Sequence, residues 1–348
     1  MSLQTPQCQG RRLAFFMNGI VAVAACALTC LAIGRFTPFP DVPMVTAKLD
    51  YFAAHKEAYD TLFFGSSRLY HALSPKVFDA AMAQRGRATH SFNFAIDGMV
   101  PPEVFYFVRK ALTEKPTHAR WAFVEIAGLR TSMQRGATRD AYWQNPEALG
   151  LMFREMLQAP IRGKKGTKRF PKARRLYAEL IPDLQLFFYK YANIGMGRNV
   201  VAGFFNQPGP TEPDEALGPA KDGFVPLLNP TPDSEAAKLT DALQKLKSGK
   251  MEKRGVDPLN RDAYARLLRD IKAAGITPFL VVTPTTTRDY QVRKSAPPDT
   301  VVFAFDDPAA FPNLYEPDRR MDYDHLNPRG AEEFSITLAE RFSRQLSR

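Results

Sequence analysis

The chain has 348 residues, of which 45% are hydrophobic and 24% charged; this suits one large α/β domain with additions, or two average domains, and excludes wholesale disorder. Lys+Arg 47 against Asp+Glu 36 gives a formal net charge of +11, which favours anionic neighbours such as nucleic acid, lipid headgroups or an acidic polymer. All three cysteines (Cys8, Cys26, Cys30) lie near the N-terminus and only five histidines are present, so the main body has no disulfide scaffold, Cys-ligated zinc or cysteine nucleophile, and no cofactor or metal is expected.

Residues 13–34, LAFFMNGIVAVAACALTCLAIG, carry no charge. At ~1.5 Å per residue, about 20 such residues cross a ~30 Å hydrocarbon layer. Arg11 and Arg12 precede the run and Arg35 alone follows it closely, so the positive-inside rule places residues 1–12 in the cytoplasm and 35–348 outside, in the periplasm. A cleaved signal peptide is the competing reading, and Val23-Ala24-Ala25-Cys26 has the form of a lipoprotein cleavage box. Signal cores usually run ~7–15 residues, whereas this one continues past Cys26 through Ile33, so a retained single-pass anchor is expected. Export removes nucleic acid from the partners considered. The densest basic stretch, 162–175, is either a solvated face or a contact for anionic lipid or glycan, with Lys164, Lys165, Lys168 and Arg169 as its candidate binding residues.

Beyond the anchor, short apolar runs alternate with amphipathic stretches. Residues 60–65, 91–96, 121–126, 276–282 and 300–305 read as strands; 75–84, 102–112, 261–274 and 329–345 read as helices. This alternation predicts an α/β fold with a parallel sheet of about five strands covered on both faces. A mainly helical insertion interrupts it at about 130–255, with helical stretches at 142–157 and 175–192 and a Pro/Gly-rich segment at 206–232.

Three fragments carry the chemistry. Phe64-Gly65-Ser66-Ser67-Arg68-Leu69 follows the first strand, where a glycine permits a tight strand-to-helix turn and exposes a serine hydroxyl beside a helix N-terminus. Helix capping is the plainer role for both serines. Met321-Asp322-Tyr323-Asp324-His325-Leu326-Asn327-Pro328 precedes the last helix. A carboxylate three residues before a histidine can reach round a turn and hold the imidazole in the tautomer that takes a serine proton, which suits Asp322, with adjacent Asp324 as second choice. Asn93-Phe94-Ala95-Ile96-Asp97-Gly98 follows the second strand, and Gly98 can present a backbone N–H to an oxyanion or simply make a turn. His71 is a candidate for lining the mouth, Arg68 for meeting an anionic acceptor and Asn93 for substrate binding, while Glu125 either faces the cleft or forms a buried structural hydrogen bond.

In order and context these fragments resemble the SGNH/GDSL hydrolase superfamily: Gly65-Ser66-Ser67 as its first block, Gly98 in its second and Asp322-x-x-His325 in its fifth. GSSRLYHALSP and DYDHLNPRGA are similar to exported, membrane-anchored members associated with O-acylation of bacterial surface polymers. The resemblance implies a three-layer α/β/α, flavodoxin-like domain, with Ser67 as nucleophile, His325 as general base, Asp322 as its orienting acid, and Ser67 and Gly98 N–H groups as oxyanion donors. The third block departs: Glu125-Ile126-Ala127-Gly128 stands where Gly-x-Asn-Asp is usual, removing a side-chain oxyanion donor. The resemblance further implies an O-acyltransferase acting on a cell-surface polysaccharide, supplied by a polytopic acyl-transfer partner. A polysaccharide O-deacetylase or carboxylesterase using the same residues, and a weakly catalytic polymer-binding scaffold subunit, are the alternatives.

Overall fold

The computed structural model describes residues 6–36, 39, 42–129, 138–158, 180–194, 213–228, 233–247, 258–286 and 295–348. In chain order the elements begin with α1 (Pro6–Phe36), α2 (Pro43–His55), β1 (Thr61–Phe64), α3 (Ser67–Tyr70), α4 (Pro75–Ala83), β2 (Ser91–Asn93), α5 (Pro101–Thr113) and β3 (Trp121–Glu125). There follow α6 (Thr138–Tyr142), α7 (Pro146–Gln158), α8 (Ile181–Ala192), α9 (Pro213–Leu217), α10 (Asp233–Lys247), α11 (Pro258–Ala273), β4 (Thr277–Val282), β5 (Val302–Ala304) and α12 (Pro328–Gln345). They fall into two compact units, Met1–Asp41 with Gln134–Gly209, and Val42–Met133 with Pro210–Arg348. The insertion read at 130–255 therefore divides: its second part groups with the sheet.

In the sheet unit the strands are all parallel, in the order β2-β1-β3-β4-β5. Parallel register places like residues side by side. Phe63 pairs with Phe123 and Phe123 with Phe279, and their rings lie 4.8 and 5.1 Å apart in a row across one face. Phe78 of α4 meets Phe63 at 5.1 Å, and Phe342 of α12 meets Phe123 at 4.9 Å, so both helices dock on that row. Leu239, Leu243 and Leu246 of α10 join the same core. Opposite in parity, Phe64 stacks on Phe94 at 4.8 Å, and Phe52 of α2 and Phe107 of α5 pack against Phe94. Each fully buried phenylalanine is worth ~1.5–3 kcal/mol of transfer free energy, so the aromatic rows dominate the sheet's cohesion.

Helix starts follow local chemistry. Ser74 accepts the Val77 N–H at 3.4 Å ahead of Pro75, and Asn327 accepts the Gly330 N–H at 3.1 Å ahead of Pro328. The run read as helical over 142–157 is helical from Pro146: Tyr142 ends α6, and Asn145 starts α7 by accepting the Glu147 and Ala148 N–H groups, both at 2.9 Å. Of the stretch 175–192, the described part is helical from Ile181. The second strand ends at Asn93, three residues before the apolar run does. The Asn93 N–H leaves the sheet to donate to the Asp222 carbonyl at 2.8 Å.

Residues 218–228, within the Pro/Gly-rich segment, form a strap held by Lys48. This side chain is fully buried, and its Nζ donates to the carbonyls of Asn93 (2.8 Å), Ala95 (2.7 Å) and Gly223 (2.8 Å) beneath the Tyr70 ring. Burial pushes its pKa well down, opposed by the charges of Asp222 and Asp97. In the other unit, α1 contains a stretch, Ala14–Phe36, long and apolar enough to cross a membrane.

Candidate active site

The turn after β1 is shaped by two residues distant in sequence. A Cβ on Gly65 would lie 2.7 Å from Glu125 Oε2 and 2.9 Å from both Glu125 Cβ and Leu69 Cβ, so only glycine admits this close approach of β1 to the end of β3. The buried Glu125 carboxylate then accepts the Ser66 N–H at 2.6 Å, the Ser66 hydroxyl at 2.8 Å, Arg68 Nε at 2.9 Å and the Thr283 hydroxyl at 3.3 Å. Of the two readings of Glu125, the buried structural one describes it. Arg68, a candidate for substrate contact, is tied by its Nε to this carboxylate, and its side chain is 13% exposed. It braces the turn.

Ser66 occupies the N-cap of α3 and accepts the Arg68 N–H at 3.4 Å, which leaves Ser67 as the first residue of the helix. Capping therefore belongs to Ser66. The Ser67 hydroxyl lies 2.8 Å from His325 Nε2, and His325 Nδ1 lies 2.9 and 3.0 Å from the two oxygens of Asp322. An ionised carboxylate can only accept, so Nδ1 carries a proton, and in the neutral ring Nε2 accepts from Ser67. Asp322 and His325 side chains are each 23% exposed, which leaves the chain reachable from solvent.

Burial by itself would raise the Asp322 pKa. The hydrogen bond and charge of His325, with the backbone N–H groups of Asp324 and His325, outweigh burial and hold it below the ordinary carboxylate value. For His325 burial would lower the pKa; the Asp322 hydrogen bond and the charges of Asp322, Asp324 and Asp97 outweigh it and raise the imidazole above its ordinary value. Asp324 turns away from the ring and accepts the Thr285 hydroxyl at 3.1 Å.

The loop that carries this pair is built around Arg320, a residue without any local motif. Its buried guanidinium donates to the carbonyls of Leu314 (3.1 Å), Asp322 (3.2 Å) and Tyr323 (3.0 Å), and Arg320 bridges Leu326 in antiparallel fashion. The Met321 N–H donates to the His325 carbonyl at 3.0 Å. The turn is thereby closed, and Asp322 and His325 face each other across it.

Ser67 N–H belongs to the first turn of α3, where no carbonyl lies four residues back to receive it. The helix is a single turn of four residues, so the helix field expected at the serine is small. Gly98 has φ +67°, the left-handed conformation glycine accepts without a steric penalty. Its loop is tied to the serine turn twice: Ile96 N–H donates to the Gly65 carbonyl at 3.3 Å, and His71 Nε2 meets Asp97 Oδ1 at 2.8 Å. His71 Nδ1 lies 2.6 Å from the Val225 carbonyl, and its ring stands 6.0 Å from that of His325. His71 is thus a buried clamp among the α3 segment, the Gly98 loop and the strap, rather than an open mouth residue.

Asn93 is corrected likewise. It is fully buried, donates to the Leu69 and Leu73 carbonyls at 3.1 and 3.0 Å, accepts from Ala95 N–H at 2.9 Å, and so is spent inside the fold. Lys164, Lys165, Lys168 and Arg169 lie outside the described residues. After β3, Tyr264 donates to the Glu125 carbonyl at 3.0 Å and accepts the Ala127 N–H at 3.0 Å, while Asn260 donates to the Ala127 carbonyl at 3.1 Å. That segment is locked onto α11. Among the described residues no group of three or more His, Cys, Asp or Glu is placed to hold a metal ion. No protein-family model and no curated protein matches this chain.

Proposed function

We propose that this chain is a membrane-anchored, SGNH-like serine acyltransferase whose exported domain moves an acyl group, acetyl in the simplest case, to hydroxyls of a cell-surface polysaccharide. The observation that carries this reading is the continuous Ser67–His325–Asp322 hydrogen-bond chain, with contacts of 2.8 and 2.9 Å. Two further features support it. The parallel strand order β2-β1-β3-β4-β5 supports a flavodoxin-like, three-layer reading, and sheets of that order bind ligands where it reverses, beyond the carboxyl ends of β1 and β3. The turn bearing Ser67 follows β1, and Glu125 is the last residue of β3. The span Ala14–Phe36 supports an anchor in the inner membrane with the domain in the periplasm.

The steps follow from the proton positions. His325 Nε2 takes the Ser67 proton as Oγ attacks the acyl carbonyl carbon, and the Asp322 carboxylate stabilises the imidazolium. The carbonyl oxygen gathers negative charge beside the Ser67 and Gly98 N–H groups. As the tetrahedral intermediate collapses, the leaving group departs with the proton from His325, and Ser67 holds the acyl group as an ester. His325 then takes the proton of the acceptor hydroxyl, whose oxygen attacks the ester carbonyl and releases Ser67 with its proton restored. A polytopic membrane partner would deliver the acyl donor across the bilayer.

Water in the acceptor's place makes the same residues an esterase. The intact Ser–His–Asp chain weighs against the scaffold alternative, because a binding subunit has no use for a serine held on an oriented imidazole. Mass spectrometry of surface glycans from a strain lacking the gene tests the assignment. Fewer acyl esters are expected; more acyl esters would establish the esterase, and an unchanged level would refute both enzyme readings.

A further inference from the structure

The helix α8 is amphipathic the wrong way round for a water-facing element. Its Asp183 is buried and meets Gln144 Nε2 at 3.4 Å. Lys190 turns inward too, donating Nζ to the Tyr142 carbonyl and, at 2.8 Å, to the Gln144 carbonyl at the end of α6. On the outer face stand Ile181, Phe188 and Tyr191, with Ile194 just beyond the helix; they are 39, 48, 51 and 53% exposed, and only Gln185 interrupts the stripe. Charge inside and large apolar side chains outside describe a helix whose outer neighbour is not water.

The place of α8 within its own unit says what that neighbour is. Asn193, in the left-handed conformation that ends α8, donates Nδ2 to the Cys30 carbonyl of α1 at 3.1 Å. Its carboxamide fills the space that Gly34 leaves open: a Cβ there would sit 2.2 Å from Asn193 Nδ2. One helical turn earlier in α8, Tyr189 packs edge-on against Phe39 at 5.6 Å. Gly34 and Cys30 lie two and six residues inside the end of the span at Phe36, about 3 and 9 Å along the helix axis. The C-terminal end of α8 is therefore level with the last turns of the span, and its Tyr189 is level with the chain just beyond it.

Resting on the reading of α1 as a retained anchor, we infer that α8 is an interfacial membrane helix, with its Ile181–Phe188–Tyr191–Ile194 face sunk in the leaflet from which α1 emerges. The helix dips, with Ile194 deepest and Ile181 nearest the headgroups. Tyr191 suits that depth, because its apolar ring faces outward while its hydroxyl reaches the Gln144 carbonyl at 3.3 Å. The two attachments, one spanning and one inclined within the leaflet, would hold this unit against the bilayer surface.

Nitroxide labels on the full chain in phosphatidylcholine/phosphatidylglycerol vesicles test this. Cys8, Cys26 and Cys30 are first replaced by alanine, and single sites are then made as Ile181→Cys, Phe188→Cys, Tyr191→Cys, Ile194→Cys and, within the span, Ile20→Cys. Collision with oxygen reports lipid, and collision with a water-soluble nickel chelate reports water. The expected result is oxygen-dominated collision at 20, 188, 191 and 194, with nickel access rising from 194 to 181. Nickel-dominated collision at 188, 191 and 194 with lipid at 20 would overturn the interfacial helix while leaving the anchor intact. Shielding of these sites from both probes would overturn it in favour of a protein-covered face. Water at 20 would refute the anchor itself, and the inference with it.

Discussion

The substitution Asp322→Asn has an outcome that the surrounding backbone dictates. Asp322 Oδ1 accepts the N–H groups of both Asp324 and His325 at 2.7 Å, in addition to facing the His325 ring. An asparagine in this position keeps its carbonyl oxygen on those two donors, since turning it would set an amide N–H against them. Its NH2 group then faces His325 Nδ1, which must accept, and the ring proton moves to Nε2. In that tautomer Nε2 cannot accept from Ser67, 2.8 Å away. A wrong-tautomer imidazole costs a serine hydrolase ~10⁴ in rate, or ~5.5 kcal/mol of transition-state stabilisation. The assay is the second-order rate of labelling by a fluorophosphonate, which forms an Oγ–P bond at Ser67 with loss of fluoride. The wild-type rate should rise with pH through the His325 pKa, which lies above that of an ordinary imidazole, because only the neutral ring accepts the serine proton. The same variant removes a linkage. His325, raised in the fold, adds stability that is full below its unfolded pKa and lost as pH rises through the folded one; Asp322, lowered in the fold, adds stability that is full above its unfolded pKa and lost as pH falls through the folded one. Asp324→Asn, by contrast, should leave labelling within a few fold, since Asp324 is directed at Thr285. Labelling of Asp322→Asn within tenfold of wild type, or equal losses in both variants, would refute the assignment of Asp322.

Other consequences are as direct. Ser67→Ala should abolish labelling, whereas Ser66→Ala should retain it with a less stable turn, as intact-protein mass spectrometry would report. Glu125→Ala leaves the Arg68 guanidinium and the Ser66 N–H without their carboxylate, and breaking a buried ion pair from one side costs ~3–5 kcal/mol, readable as a lowered denaturation midpoint; Arg68→Ala in the same chain should recover part of it. His71→Phe keeps the ring but cuts the tie to Asp97, so turnover of an acyl ester should fall by about tenfold, less than the ~10²–10³ cost of deleting an oxyanion donor outright. Lys48→Met replaces the buried ammonium and leaves the Asn93, Ala95 and Gly223 carbonyls without their shared donor; hydrogen exchange should then quicken first along the 218–228 strap.

What the sequence determined by itself is what local pattern can carry. An uncharged run of membrane-spanning length, five apolar runs alternating with helical periodicity, and an Asp three residues before a His each act within a few neighbours, so each is legible without knowing what packs against it. Even the pairing of Asp322 with His325 is a property of one turn. The tertiary structure alone decided which polar side chains are spent inside the fold. Asn93 and His71 stand beside a serine turn and a glycine loop, where a single sequence invites a substrate role; burial and three or two committed bonds give them structural ones. Glu125 braces a turn 59 residues before it, Arg320 shapes its own loop through carbonyls, and Asn193 reaches a helix 163 residues earlier. Such partners share no spacing, because a hydrogen bond between distant elements depends on where the sheet register and helix docking place two backbones, and those are set by the sum of many apolar contacts rather than by the residues that the bond joins.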